Sequence, residues 1–458
     1  MRILIAGGGH VATLTARRLT REGNDVVIIE RDAERCAELQ EKLDVKVVRG
    51  SATSISTLRD AGLAQTEIFI AVTDSDEVNV FACLAVQAES KNCLKMARLR
   101  THEFEHWQRV ISEIGIKIDL VIHPETEIME RILRVAHLPR ISDVIDFADG
   151  NVKLFGMNVE PSSWIAGKTL EDLDRAGPPK DSLIALIFRG QQVIIPHGAQ
   201  VLEPGDHIYI IATKNNLREV MLFMGLDIQE RLRRAIVVGG KQVGIWVAEA
   251  LEKQGVNVKL IEQDSGRCEL IAGILNNAIV IHGDGTDQLV LEEENIEGVD
   301  TFLALTSDDE DNIIASLLAR RLGARKVVAL VNRLNYLSMV ERLGISTSVS
   351  PRLVAVDRIL QFVRKGRVLS VTTFREEEAE AIELIATENS RYVGKKLRDI
   401  SLPRGAIVGA IARSNGEVIV PRGEASINPD DHVIFFTLES VVSELETAFL
   451  MERRKADS

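Results

Sequence analysis

The stretch Ile3-Leu4-Ile5-Ala6-Gly7-Gly8-Gly9-His10-Val11-Ala12 decides the fold because it occurs twice, returning as Ala235-Ile236-Val237-Val238-Gly239-Gly240-Lys241-Gln242-Val243-Gly244. Aliphatic residues that run into clustered glycines and then into a helical pattern are the strand–turn–helix opening of a dinucleotide-type α/β unit. A second copy makes the chain a tandem duplication, and self-similarity on this scale sets the architecture.

The register holds outward from the glycines. Gly23 answers to Gly255, Glu30 to Glu262 and Cys36 to Cys268. After one residue of slippage, Gly50-Ser51-Ala52-Thr53 matches Gly283-Asp284-Gly285-Thr286, and Asp76-Glu77-Val78-Asn79 matches Asp309-Glu310-Asp311-Asn312. On this reading Arg100 meets Arg333. Further on, Gly167-Lys168-Thr169-Leu170 is answered by Gly394-Lys395-Lys396-Leu397, Pro196-His197-Gly198 by Pro421-Arg422-Gly423, and Pro204-Gly205-Asp206-His207 by Pro429-Asp430-Asp431-His432.

Short aliphatic runs at Ile3 to Ala6, Asp25 to Glu30, Val45 to Val48, Ile68 to Val72 and Leu94 to Ala97 alternate with helical patterns. Strands apolar on both faces and separated by helices indicate a parallel sheet covered on both sides. The fold class expected is α/β, with two Rossmann-like doubly wound parallel-sheet domains, each followed by a small mixed α+β domain. The expected boundaries are 1–140, 141–227, 232–366 and 367–452, joined across Arg231-Leu232-Arg233-Arg234 and ending in a polar tail from Met451. The helical patterns after Pro124 and Pro351 each carry one apolar face, which packs on its own domain or on its repeat partner.

Composition sets outer bounds. The 458 residues are 45% hydrophobic and 27% charged, as in ordinary globular proteins, and no apolar run reaches the roughly 20 residues of a spanning helix. No signal-peptide pattern opens the chain, so a cytoplasmic protein is expected. A net charge of −13 disfavours nucleic acid as a partner, since phosphate is neutralised by basic patches. Cys36, Cys83, Cys93 and Cys268 form no C-x-x-C pair, which argues for buried thiols and for no metal.

The chemistry concentrates in the glycine loops. In Gly7-x-Gly9-x-x-Ala12, Gly7 permits the tight turn, Gly9 lets backbone approach a pyrophosphate, and Ala12 permits close helix–strand packing. Phosphate then meets the helix N-terminus at Gly8, Gly9, His10 and Val11. Glu30, at the end of the second strand, suits ribose hydroxyls and repels a 2′-phosphate, which favours NAD or ATP-type ligands over NADP. Ser51, Ala52, Thr53 and Thr73 stand on the loops after the next strands, and Arg98 and Arg100 stand where arginines reach phosphates. The second half keeps Gly239, Glu262, Asp284 and Thr286 but places Lys241 where the second glycine belongs. Taken singly, Thr53 and Thr286 read as helix caps, and Asp74 to Glu77 and Ser307 to Glu310 have capping-box spacing, although clustered acids also suit a cation.

These residues together resemble the family of TrkA subunits of Trk potassium-uptake systems, which are built of tandem RCK units (regulators of potassium conductance). Its most specific elements here are the tandem arrangement, Ala71-Val72-Thr73-Asp74-Ser75-Asp76-Glu77-Val78-Asn79, Met96-Ala97-Arg98-Leu99-Arg100, and Gly167-Lys168-Thr169-Leu170 with Pro204-Gly205-Asp206. The resemblance implies a non-enzymatic regulatory subunit, peripheral on the inner face of the cell membrane, that binds ATP, ADP or NAD(H). It implies a homotetrameric ring that gates a membrane potassium-translocating subunit of the TrkH or TrkG type. It also implies that Gly7, Gly9 and Ala12 hold phosphates, Glu30 the ribose, and Arg98 and Arg100 the distal phosphates. Two alternatives stand beside it. One is an NAD-dependent oxidoreductase, for which His10 and His123 are the best-placed histidines but are answered by Gln242 and Ser350. The other is a nucleotide-responsive regulator of another cation transporter.

Overall fold

A computed structural model describes residues 1–100, 110, 113, 115–138, 140–190, 192–226, 231–345, 347–363, 368–374, 379–388, 390–421 and 423–450. The expected polar tail, Arg422 and the expected joins near 227 and 366 lie outside the described residues. Strands β1 (Arg2–Ala6), β2 (Asp25–Glu30), β3 (Lys46–Arg49), β4 (Ile68–Ala71), β5 (Leu94–Arg98) and β6 (Leu120–Ile122) form a parallel sheet in the order β3-β2-β1-β4-β5-β6. The next strands, β7 (Ile141–Phe147), β8 (Val152–Asn158), β9 (Ser182–Arg189), β10 (Gln192–Ile194) and β11 (His207–Thr213), form an antiparallel sheet in the order β10-β9-β11-β8-β7.

The second half repeats both. Its parallel sheet of β12 (Arg234–Val238), β13 (Asn257–Glu262), β14 (Ile279–His282), β15 (Thr301–Ala304), β16 (Lys326–Leu330) and β17 (Thr347–Val349) runs β14-β13-β12-β15-β16-β17. Its antiparallel sheet of β18 (Val368–Phe374), β19 (Ala379–Ile385), β20 (Ala406–Ala412), β21 (Val418–Ile419) and β22 (His432–Leu438) runs β18-β19-β22-β20-β21.

The parallel order follows from what the strands bury. In β1, Ile3 and Ile5 point to one face and pack with Ala12, Ala16 and Leu19 of the helix His10–Arg21. Leu4 and Ala6 point to the other and pack with Ala82, Cys83 and Val86 of the helix Asp76–Glu89. All four strand residues are fully buried, so both faces need a helical cover.

Two compact units result, and the crossover helices are exchanged between the halves. In the first unit the helix Pro351–Val363, from the second half, covers the first sheet: Ala355, Val356, Ile359 and Leu360 are buried with Ile3, Ile5 and Ile28. The helix Pro124–Ala136, from the first half, belongs to the second unit from Ile128 onward and ends there against β15 and β16, where the Thr301 hydroxyl donates to the Ala136 carbonyl at 2.9 Å. Lys326 Nζ lies 2.5 Å, 2.7 Å and 2.6 Å from the carbonyls of Val135, Leu138 and Ile141. Last-turn carbonyls lack an in-helix donor, and the buried lysine adds one to Val135, beside the Leu138 N–H at 3.1 Å, and continues to two carbonyls past the helix end.

The two antiparallel sheets of the second unit also share a core. Phe188, Tyr209 and Ile211 pack with Phe374, Ala410 and Phe436, and the Tyr209 and Phe374 ring centroids are 4.6 Å apart. The Pro204-Gly205-Asp206 repeat turns out to be structural. Asp206 holds Arg189 through two hydrogen bonds of 2.8 Å and accepts the Glu203 N–H, and Asp431 pairs with Arg413 and accepts the Asn428 N–H. All four cysteines are free; burial pushes the Cys83 thiol up to about 12 and Cys93 up to about 11, so both are unreactive.

Lys326 generates a stability prediction. Its replacement by methionine strips donors from three buried carbonyls and is expected to lower the unfolding free energy by about 2–4 kcal/mol in urea denaturation. Burial pushes the Lys326 pKa down to about 7, with Asp143 acting in the opposite direction. Above that value the unfolded chain holds a proton that the fold has released. Stability therefore rises with pH from about 7 toward the ordinary lysine range, and the advantage of Lys326 over the Lys326→Met variant grows over the same window.

Candidate functional site

Both glycine loops lie at the carboxyl ends of central strands, between β1 and β4 and between β12 and β15, where the strand order reverses. Gly7 has φ +101°, and a Cβ there would sit 3.1 Å from the Thr73 backbone, so both conformation and space demand glycine. At Gly8 a side chain would strike Leu39 at 2.7 Å and Glu30 at 2.8 Å. Gly9 differs: its φ of −70° suits any residue, and a Cβ there would meet nothing within 4 Å. Neither backbone nor neighbours require glycine at that position.

Glu30 closes the loop from β2. Its Oε2 accepts the Gly8 N–H at 2.6 Å, and its Oε1 accepts the N–H groups of Arg31 and Asp32 at 2.7 Å and 2.9 Å. From the following helix, Arg35 Nε donates to the Gly8 carbonyl at 2.8 Å. His10, Val11 and Ala12 form the first turn of a helix whose N-cap, Gly9, offers no side-chain acceptor. By contrast, the helices Ala33–Lys42, Ile55–Asp60 and Asp76–Glu89 are capped by Asp32, Ser54 and Ser75. The unsatisfied N–H groups and the positive end of the dipole thus collect at the glycine loop. Burial, then the charges of Arg352 and Arg35, hold the His10 pKa below its usual value, so the imidazole is neutral at pH 7.

Thr73 stands against Gly7, its N–H and hydroxyl donating to Asn79 Oδ1 at 2.9 Å and 2.7 Å. The buried Asn79 amide also donates to the Arg98 carbonyl at 2.8 Å, which ties the loop after β4 to the end of β5. Arg100 is held by Asp74 at 3.1 Å. Arg98 Nε is buried with no hydrogen-bond partner among the described residues, and burial and then the neighbouring Arg100 charge lower its pKa. On the loop after β3, Ser51 and Thr53 place their hydroxyls 2.8 Å apart beside the buried Ala52.

Two groups of residues differ from the sequence reading. The caps sit one residue later: Ser54 and Asp287, not Thr53 and Thr286, accept the first-turn N–H, and Ser75 and Asp308, not Asp74 and Ser307, cap the helices after β4 and β15. Arg333 is not the counterpart of Arg100. Asn312 donates to the Leu330 carbonyl as Asn79 does to that of Arg98, and the Asn332 N–H meets Asp309 as the Arg100 N–H meets Asp76. The helix Asp309–Arg321 is one residue shorter than Asp76–Glu89, 13 against 14, which shifts the register. The second half therefore has Leu330 and Asn332 where the first has Arg98 and Arg100.

The second loop otherwise reproduces the first. Gly239 has φ +102°, Glu262 Oε2 accepts the Gly240 N–H at 2.7 Å, and Arg267 donates to the Gly240 carbonyl at 2.6 Å. Lys241 takes the Gly9 position with φ −81° and sends its amine to Ser307 at 2.7 Å. Asp284 accepts from the N–H and hydroxyl of Thr286 at 2.8 Å and 2.7 Å. Burial opposes its charge, but these bonds and one from Gln263 outweigh it and lower its pKa. Among the described residues no acidic, histidine or cysteine cluster is placed to hold a metal ion. Sequence reading missed Asn79 and Arg35 as loop supports, although each has a repeat partner, Asn312 and Arg267.

Fold and loops together define a duplicated Rossmann-type protein with one nucleotide-site architecture per half. The TrkA-N domain model matches residues 3–124 and 235–351, and the TrkA-C domain model matches 154–225 and 381–450. The chain belongs to the TrkA family of Trk system potassium uptake proteins. It is 36% identical over 442 residues to the Trk system potassium uptake protein TrkA of Halomonas elongata, covering 96% of each chain. It is 36% identical to that of Haemophilus influenzae, with 98% of each covered, and 34% identical to homolog 1 of Methanosarcina mazei, with 98% of this chain and 100% of that one covered. The GsuK channel solved bound to NAD has a similar fold, with a TM-score of 0.60 at 19% identity over 98% of this chain and 79% of that one. No described helix is long and apolar enough to cross a membrane.

The loop geometry separates the three glycines by stability. Gly7→Ala is expected to destabilise by at least about 1–2 kcal/mol, whereas Gly9→Ser, a side chain that an N-cap accepts, is expected to lose no more than about 0.5 kcal/mol in thermal denaturation without ligand.

Proposed function

We propose that this chain is the non-enzymatic regulatory subunit of a potassium-uptake system and that its first half binds an adenine nucleotide, ATP, ADP or NAD(H). The observation that carries this reading is Gly9. A glycine that neither backbone nor packing requires, set at a helix start without a side-chain cap while the helices Ala33–Lys42, Ile55–Asp60 and Asp76–Glu89 are capped, keeps space clear for a group that approaches the backbone closely. His10 and Val11 supply free N–H groups for phosphate, Gly8 gives its own N–H to Glu30 and keeps the loop tight, Glu30 faces the ribose, and Ser51, Ala52, Thr53 and Thr73 line the far side. Arg98 and Arg100 neutralise the distal phosphates, and the buried Nε of Arg98, which has no partner among the described residues, offers a donor. GsuK, which shares the fold, has been solved with NAD and with ADP, which supports the same ligand class.

The second site is weaker by three substitutions: Lys241 fills the space above Gly239, and Leu330 and Asn332 replace the two arginines. Glu262, Asp284 and Thr286 remain. Ligand bound in the first half regulates by preferring one arrangement of the domains in a homotetrameric ring, and that difference in affinity biases a membrane potassium-translocating subunit.

Calorimetric titration of the full chain with ATP, ADP, NAD+ and NADH is expected to give one strong site per chain for at least one of them. Gly9→Lys, which copies the second half, is expected to weaken that site at least tenfold without lowering the melting temperature of the ligand-free protein. Glu30→Ala is expected to weaken binding by about 1.5–3 kcal/mol as charge-assisted bonds are lost. Absence of binding to all four ligands refutes the proposal.

A further inference from the structure

The exchanged helix Pro351–Val363 brings more than an apolar face to the first unit. Its Ala355, Val356 and Ile359 are buried in one core with Val11, Ala12 and Ala16 of the helix His10–Arg21. Arg352 stands three, four and seven residues before them, so it lies on the same face, one turn nearer the start of its helix. Helical side chains lean toward the N-terminus, which carries the guanidinium toward that end. There it comes close to His10. After burial, the charge of Arg352 does most to hold that imidazole below its usual pKa, ahead of Arg35, whose Nε is bonded to the Gly8 carbonyl at 2.8 Å. Arg352 thus reaches the glycine loop, at the opening N–H groups of a helix without a side-chain cap.

We infer that Arg352 binds a phosphate of the nucleotide held in the first site, so that this site is built from both halves of the chain. The inference rests on the nucleotide reading above and adds to it a residue that the first half does not contain. An arginine in the first turn of a helix opposes the helix dipole, and here the positive end of a second helix and the Arg35 guanidinium act in the same region. A phosphate group satisfies these charges together, and the planar guanidinium matches its oxygens. The duplication shows that the helix does not need the cation. The register that sets Arg131 against Arg358 sets Glu125 against Arg352, and both helices open with proline and run 13 residues. The first half keeps the acid that a helix start favours, and the second half carries its opposite. Bound phosphate would therefore tie the glycine loop of one half to a helix of the other, which gives the ligand a hold on the exchanged segment.

The test uses the full chain and calorimetric titration with ATP, ADP, NAD+ and NADH, following the ligand that the parent binds most tightly. Arg352→Gln is expected to weaken it at least about tenfold, as one charge-assisted bond is lost, with the melting temperature of the ligand-free protein retained. Arg352→Lys keeps the charge without the fork and is expected to recover part of that loss. Arg358→Gln, further along the same helix and paired with Glu127 at 3.0 Å, is expected to leave binding unchanged. A folded Arg352→Gln variant that binds as the parent does overturns the inference and leaves the nucleotide reading standing, whereas a parent that binds none of the four overturns both. If Arg352→Gln does not fold, hydrogen exchange on the parent decides. Saturating ligand is expected to slow exchange in the first turns of the helix Pro351–Val363 as well as in the first turn of the helix His10–Arg21; protection confined to the first-half helix and its loop overturns the inference.

Discussion

The left-handed turn at Gly7, held by the Glu30 carboxylate on the Gly8 N–H at 2.6 Å, is the constraint on which the rest depends. It stops β1, starts the helix His10–Arg21 directly above it, and leaves that helix without a side-chain cap. Glu30 in turn sits where it does because β2 lies beside β1 in parallel register, Leu4 opposite Val27 and Ile5 opposite Ile28. Arg35 secures the other side of the loop, so the N–H row is fixed before any ligand arrives. Preorganisation of this kind removes an ordering cost from binding.

Duplication lets the two halves diverge without losing that frame. Gly239 and Glu262 reproduce the turn and its carboxylate anchor, and Asn312 reproduces the amide tie to the neighbouring strand. What changes is the set of groups that the frame does not need: Gly9 becomes Lys241, and Arg98 and Arg100 become Leu330 and Asn332. A residue that neither turn nor core requires is free to change with the ligand, which is why the halves share a fold and differ at their sites. The exchange of helices couples them further, because the face that covers the first sheet is built from Ala355, Val356 and Ile359 of the second half.

Sequence and structure part company where a single residue of register matters. Capping-box spacing located the right loops, but Ser75 and Asp308 rather than Asp74 and Ser307 take the cap, since Asp74 is drawn to Arg100 and Ser307 to Lys241. Matching Arg100 to Arg333 by identity failed for a similar reason. One residue fewer in the helix Asp309–Arg321 displaces everything after it, and only the hydrogen bonds of Asn79 and Asn312 reveal the true counterpart.

By itself the sequence determined the duplication, the parallel-sheet class, the glycine turns and the acids at Glu30 and Glu262. Each of these is written in local chemistry: apolar runs that need cover on both faces, glycine where φ is positive, and a carboxylate at a strand end. Only the tertiary structure decided which half each crossover helix covers and which of three adjacent glycines the fold can do without. Those outcomes depend on what stands opposite a residue across the core or beyond a strand, and sequence spacing does not specify that distance.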